Sequence, residues 1–409
     1  MSSTASTARA TTRQDSLDVL RGFAILGILV INIQMFSMVS LAYVNPTLAG
    51  PMNGLDYWIW LLSHVAFQEK FLTIFSALFG AGIVLLSERM AVASGRAWYL
   101  HLRRMFVLGV IGAAHAYFIW YGDILLIYAV IGVVAFAFRN CRPRRLLIIA
   151  GALYLVPVMI SIFLTIVFYN LPAAYYDFVV QHYWQPTSPE IIAQTQGYRG
   201  GWTEQMAARV NDARIYHLWR LPTNHGWHVL AAMLAGMAAY RSGLLSGSWS
   251  SREYRRWGLA GLAIGLPIIL LGVWFNQATG WEMLTSLFLG AEFNHLGTPF
   301  MTLAWICGLL LVWRAGWFPR LLAGLRAVGR TALSAYLLTS VICTTIFYGH
   351  GFGLFGQVTR LEQLFVVVGV WVVLIAAATA WLQHFRMGPV EWLWRWAATG
   401  SRAPLLRAA

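Results

Sequence analysis

Charge is scarce in this sequence: 11% of its 409 residues are Asp, Glu, Lys or Arg, and Lys70 is the only lysine. At 59% hydrophobic residues, a soluble globule of this length would expose large apolar patches, so a water-soluble fold is excluded and lipid is the expected solvent. Cysteine is scarce too. Cys141, Cys307 and Cys343 lie far apart, with no CxxC and no histidine at ligand spacing, so neither a disulfide framework nor a metal site is expected. No polar domain gathers the net charge of +14, since the arginines fall between apolar runs, and this argues against a nucleic-acid partner. No secretory signal is expected either, because the first apolar run, about 25 residues long, exceeds a signal core and no small-residue cleavage site follows it. That run should stay as a first span behind a disordered cytoplasmic tail, residues 1–14, rich in Ser, Thr and Ala. Heptads, low-complexity tracts and internal repeats are lacking, which weakens an inverted-repeat transporter reading.

What the chain does have is apolar runs long enough to cross a bilayer, which takes roughly 20 residues of helix. The expected fold is an all-α polytopic transmembrane bundle of about ten spans, by that measure. Five lie near 17–42, 69–88, 104–120, 123–139 and 145–169, and five near 224–241, 256–276, 296–314, 329–348 and 361–384. Residues 56–67 are too short to cross and should lie at the outer interface. Of the 29 Lys and Arg residues, 23 fall in alternate loops on one side and 6 on the other, which by the positive-inside rule sets both termini in the cytoplasm. The chain then divides into the tail, a five-span region 15–169, a periplasmic loop 170–223, a second five-span region 224–396 and a cytoplasmic tail 397–409. The loop is rich in aromatics, and Trp202, Met206, Val210, Ala213 and Tyr216 recur at helical spacing, as in an amphipathic helix lying over the spans like a lid.

Several ionisable residues fall inside this apolar frame. His115 lies eleven residues beyond Arg104, roughly 16 Å into the membrane at 1.5 Å per residue. An imidazole there is costly to leave unpaired and suits proton abstraction, although a packed histidine bonded to a carbonyl is the plainer reading. Asp123 follows Gly122 at the start of the next span, where a carboxylate caps a helix as readily as it orients an acid/base partner. Eight residues of continuous helix would hold it about 12 Å from His115, so a direct pair requires the chain to bend back. Asp18 and Arg21 share a helical face and should pair, with Ser16 capping the start. Asn32 reads as a polar lining residue or an interhelical hydrogen bond. Glu69 and Lys70 read as a snorkelling interfacial pair, with binding of a periplasmic acceptor as the functional alternative. His225 and His228, three apart and near His217, lack a carboxylate or cysteine at metal spacing. Gly351, Gly353 and Gly356 match GxGxxG but join two spans rather than a strand and a helix, so a dinucleotide fold is rejected. Gly261 and Gly265 mark close helix packing or a homodimer contact. Glu391 and Arg395 are spaced for an i,i+4 pair on an interfacial helix.

Three stretches resemble one family, the YeiB-like bacterial membrane proteins, a domain-of-unknown-function family (number 418). They are Ser16-Leu17-Asp18-Val19-Leu20-Arg21-Gly22-Phe23 with Asn32; Lys70-Phe71 to Leu78-Phe79-Gly80, then Arg103-Arg104, His115 and Trp120-Tyr121-Gly122-Asp123-Ile124-Leu125; and Gly329-Arg330-Thr331-Ala332-Leu333 through Gly388-Pro389-Val390-Glu391-Trp392-Leu393-Trp394-Arg395. Where the family usually shows an Asn and a Gln, this chain has Ala335 and Thr339. The opening motif is also similar to that of membrane acyltransferases, including the heparan glucosaminide acetyltransferase group, although the histidine of that group's Trp-Asn-Gly neighbourhood has no counterpart before Gly80.

That similarity implies acyl transfer from cytosolic acyl-CoA, such as acetyl-CoA, to a cell-envelope glycan or lipid, in the bacterial inner membrane. Arg21, Arg103, Arg104 and Arg330 would then line a cytoplasmic pocket for the donor's phosphates, which guanidinium groups bind through paired hydrogen bonds, although positive-inside sorting already explains most of them. The alternatives are a transporter or lipid-handling protein in which the same residues line a route, and a bundle that serves only as a membrane partner.

Overall fold

A computed structural model describes residues 2–93, 97–402 and 404–406, with side chains placed from Asp15 onward and not for 89–96. The expected tail 1–14 lies outside the residues whose side chains are described. The described residues form helices and no strand; an isolated bridge joins Phe385 and Leu406.

The chain runs through α1 (Ser2–Ser37), α2 (Gly54–Ala66), α3 (Lys70–Ala93), α4 (Ala97–Phe118), α5 (Leu125–Phe136) and α6 (Pro143–Tyr169). Three short helices follow, α7 (Ala173–Tyr183), α8 (Pro189–Arg199) and α9 (Trp202–Ile215), and a π-helical segment, Tyr216–His225, leads into α10 (Gly226–Arg241). The rest comprises α11 (Ser251–Ala278), α12 (Ala291–Ala315), α13 (Pro319–Arg330), α14 (Ala332–Phe347), α15 (Arg360–His384) and α16 (Pro389–Thr399).

A membrane protein follows from length and composition. Six helical stretches are long and apolar enough to cross, or seven if α13 and α14, bent by 91°, form one broken span. Helices stand at all ten expected positions, but α5 and α10 have only 12 and 16 residues, and α4 carries Arg103, Arg104 and two histidines. The spanning helices differ in what they face. Of the most apolar window, 78% is buried in α1 and 17% in α6, so α1 is the central post and α6 presents Ile148, Leu155, Met159, Phe163 and Ile166 outward, an apolar face suited to lipid.

Close packing depends on small residues, as expected where lipid removes the hydrophobic drive between helices. A Cβ on Gly261 would lie 2.4 Å from the Phe300 carbonyl oxygen, so this glycine pair joins α11 to α12 within the chain. At the N-terminal end, Ser16 lies inside α1 and donates to the Leu245 carbonyl at 3.1 Å; it is not a cap, because the helix begins earlier.

Candidate functional site

The arginine-bearing ends of the helices meet on one face. A Cβ on Gly22 would sit 1.9 Å from the Leu325 oxygen and one on Gly329 1.8 Å from the Asp18 oxygen, so α1 and α13 touch backbone to backbone. This contact sets Arg21 and Arg330 on one cavity. The chain breaks at Thr331 and restarts as α14, whose first amides need an acceptor. Glu391 supplies it: Oε1 accepts from Leu333 N at 2.6 Å and Ser334 N at 3.1 Å, and Oε2 from Ser334 Oγ at 2.6 Å. The expected i,i+4 pair with Arg395 is replaced by this capping, which uses the carboxylate where a helix dipole favours it. Burial raises the Glu391 pKa, against these hydrogen bonds.

The cavity so formed measures about 510 Å³ and carries Arg21, Arg104, Arg330 and Arg386 at its mouth. Arg21 donates to Asp18 at 2.7 Å, as expected, and Arg104 stacks on Trp394 at 4.4 Å. Inward the walls become apolar, with Phe75, Leu78, Met105 and Leu108, and the inner end bears the phenols Tyr128 and Tyr336. Arg103 is not on this cavity; it donates to the Ala397 carbonyl at 3.2 Å.

Beyond Tyr336 lies the dyad. The carbonyl of His115 accepts from both Ile119 N and Trp120 N at 2.9 Å, closing α4, and the chain folds back. Gly112 makes room, since a Cβ there would come within 2.3 Å of Leu126 N. The bend that a direct pair requires is therefore present. His115 donates from Nδ1 to Asp123 Oδ1 at 2.8 Å, while Asp123 Oδ2 accepts from Leu126 N at 2.7 Å. The carboxylate thus caps α5 and orients the imidazole at once, one oxygen to each task. Exposure is 1% for His115 and 0% for Asp123, and His115 Nε2 has no hydrogen-bond partner among the described residues. Neither residue lines the large cavity, but the Tyr336 ring stands 5.1 Å from the His115 ring.

A second buried centre was not legible from spacing. Glu69, in the three-residue break between α2 and α3, adopts φ 67°, a strained value for a non-glycine residue. Its Oε2 lies 3.7 Å from His295 Nδ1 and 4.0 Å from His228 Nδ1, and these three residues offer donor atoms that all lie within 4.8 Å of one another. Spacing along the chain gives His228 no carboxylate; Glu69 reaches it from the α2–α3 break and His295 from α12. Lys70 does not snorkel. It is 0% exposed and donates from Nζ to the His64 carbonyl at 3.1 Å and to Asn294 Oδ1, because its helix starts under α12 rather than at a lipid interface.

Asn32, Glu69 and Tyr336 share a small cavity with Tyr43, Tyr216 and Arg220. The last three also line a second large cavity, about 490 Å³, roofed by α8 and α9 on the face away from the arginine mouth. Helix α9 turns Gln205, Arg209 and Ala213 inward, while Trp202 is exposed; the buried stripe is therefore rotated from the apolar one read in the sequence. The cause is Arg209, whose Nη1 donates to the Phe118 carbonyl at 2.8 Å, at the negative end of α4. Beside it Asp212 Oδ2 accepts from Gln194 Nε2 at 2.7 Å and Tyr198 OH at 2.8 Å, yet burial raises its pKa from 3.8 to about 6. His350, from the glycine-rich loop, meets Gln205 at 2.8 Å.

Residues 239–401 match a family described as "Protein of unknown function (DUF418)". The chain is 35% identical to "Uncharacterized protein YeiB" of Escherichia coli (strain K12), over 94% of this chain and 95% of that one. It is 30% identical to "Uncharacterized protein YxaH" of Bacillus subtilis (strain 168), over 96% and 95%. The "Uncharacterized 39.9 kDa protein in amylase 3'region" of Bacillus acidopullulyticus is 25% identical over 96% of each. No solved structure matches the chain.

Proposed function

Because the chain belongs to the DUF418 family of YeiB-like bacterial membrane proteins, and because its ionisable groups gather inside the bundle, we propose that it is an acyltransferase of the bacterial cytoplasmic membrane. In this reading the chain crosses ten times and the arginine mouth faces the cytosol. Acyl-CoA enters there, its phosphates on Arg21, Arg104, Arg330 and Arg386 and its thioester-bearing arm in the apolar throat. A cavity of 510 Å³ lies within the range of roughly 300–1,000 Å³ typical of ligand pockets. The acceptor, a hydroxyl-bearing glycan or lipid of the envelope, reaches the centre from the cavity under α8 and α9.

The observation that carries the reading is the His115–Asp123 dyad, with Nε2 unpartnered one aromatic ring from the throat. Asp123 holds the proton on Nδ1 and leaves Nε2 as base, the arrangement that acyl transfer uses in general. Nε2 takes the acceptor's hydroxyl proton as the oxygen attacks the thioester carbonyl; the C–S bond breaks and the proton passes to the departing thiolate. Tyr336 must turn aside for this contact, so it is the expected gate.

Proteoliposomes supplied with acyl-labelled acetyl-CoA and envelope lipid or glycan extract test the proposal. Label should move to an acceptor, and His115→Ala should slow the transfer by about 100-fold or more, the usual scale of general-base loss. A second reading, transport, is favoured by Tyr336, Tyr43, Tyr216 and Arg220 being shared between successive cavities. Label retained on the donor with every acceptor fraction, together with solute flux, would support that reading and exclude the first.

A further inference from the structure

Hydrogen bonds place a proton on Nε2 of both histidines beside Glu69. Thr73 Oγ1 donates to the Glu69 carbonyl at 2.7 Å, so towards His228 Nε2, also 2.7 Å away, it acts as acceptor. His228 therefore carries its proton on Nε2. His295 Nε2 lies 3.0 Å from the Tyr154 carbonyl, which only accepts, so its proton is on Nε2 as well. In its neutral form each ring then presents a bare Nδ1 lone pair to Glu69 Oε2. The carboxylate oxygen and the two ring nitrogens converge within 4.8 Å of one another, and Glu69 Oε2 and His295 Nδ1 are buried with no hydrogen-bond partner among the described residues. The adjacent ammonium of Lys70 gives its hydrogen bonds elsewhere.

Converging lone pairs on two imidazoles and a carboxylate repel unless a cation lies between them, and an imidazole bonded through its far N–H to a carbonyl or hydroxyl is how proteins hold a ligating histidine. We propose that Glu69, His228 and His295 bind one divalent first-row transition-metal ion, with an open position facing the cavity that holds Asn32, Tyr216 and Arg220. Two histidines and one carboxylate form a set used for zinc and non-haem iron, and three protein ligands with an open position mark a catalytic rather than a structural site. In a tetrahedral zinc site with bonds of about 2.0–2.1 Å the donors lie about 3.4 Å apart; the two separations to Glu69 are 3.7 and 4.0 Å and that between the two rings is within 4.8 Å, so the set closes by side-chain adjustment. Stacking of Tyr154 on His295, centroids 4.0 Å apart and 7° from parallel, keeps that ring in plane. Arg220 on the cavity wall suits an anionic group at the open position.

The inference does not rest on acyl transfer, since it is read by metal content. Full-length protein without a polyhistidine tag, in detergent and stripped with a chelator, is titrated with Zn²⁺ and its metal measured by mass spectrometry. One equivalent is expected, with affinity lowered roughly 100-fold or more in Glu69→Gln and about 10-fold or more in Thr73→Val, which removes the acceptor behind His228. X-ray absorption at the zinc edge of the unmutated protein should show two imidazole scatterers near 2.0–2.1 Å, a readout that needs no variant to fold. Absence of bound ion, a sulfur shell from the cysteines, or equal binding by Glu69→Gln each overturns the proposal.

Discussion

The two buried histidine centres handle the same problem, an imidazole inside apolar surroundings, in opposite ways. At His115 one carboxylate oxygen accepts from the ring's Nδ1 at 2.8 Å and the other from a backbone amide; both oxygens of Asp123 are satisfied by protein alone, and only His115 Nε2 is left free. At Glu69 the nearest ring nitrogens stand 3.7 and 4.0 Å away, too far for hydrogen bonds, and both rings give their Nε2 protons to other partners. In the readings proposed above, the first centre moves a proton and the second holds a cation. A buried polar group is costly unless paired, so the pair that the fold withholds at Glu69 is itself informative.

The contrast can be tested by stability in detergent. Asp123→Ala should have the largest effect, about 3–5 kcal/mol lost, because it removes one partner of a buried pair and leaves His115 and the Leu126 amide unsatisfied; a drop below about 1 kcal/mol in denaturant or thermal unfolding would mean that the dyad is not the closed pair described. A carboxylate on the lid provides the next test. The Asp212 pKa rises from 3.8 unfolded to about 6 folded, so the folded protein binds the extra proton, and stability should decline as pH rises from about 4 to about 6, by up to roughly 3 kcal/mol. Asp212→Asn should flatten the profile across that window; an unchanged slope would place its cause elsewhere. Zinc at 100 times its dissociation constant should stabilise the unmutated protein by about 2.7 kcal/mol and leave Glu69→Gln unaffected, as read by the shift in melting temperature. The smallest effect is the sharpest discriminator: in metal-free protein Glu69→Gln should cost less than about 1 kcal/mol, because an amide N–H offers the bare imidazole nitrogens a donor where the carboxylate offered none. A loss matching that of Asp123→Ala would erase the distinction between the centres.

How far each centre was legible follows from chain separation. His115, Asp123 and Gly122 fall within nine residues, so the sequence could raise the pair and its condition, a turn, without knowing that Gly112 lets α5 close on α4. The arginines of the cavity mouth were legible as a set because sorting across membranes concentrates them on one side; that Arg103 points to Ala397 while Arg386 joins the mouth depends on helix rotation, which composition does not encode. Glu391 looked like a partner for Arg395 because local spacing is the only information a single helix contains, and the amides it caps lie 57 and 58 residues away. His295 gave no signal at all. One histidine in an apolar run has no meaning until α12 crosses α3.

Apolar run lengths, the one-sided arginines and the glycine positions determined by themselves that this chain lives in lipid as a helical bundle with packed crossings. These are solvation and steric constraints that act residue by residue, so they can be read in order along the chain. Which buried polar atoms meet was decided only by the tertiary structure. An unpaired donor or acceptor in hydrocarbon constrains a fold through its partner, and here partners such as Lys70 and Asn294, or Ser16 and the Leu245 carbonyl, lie 224 and 229 residues apart.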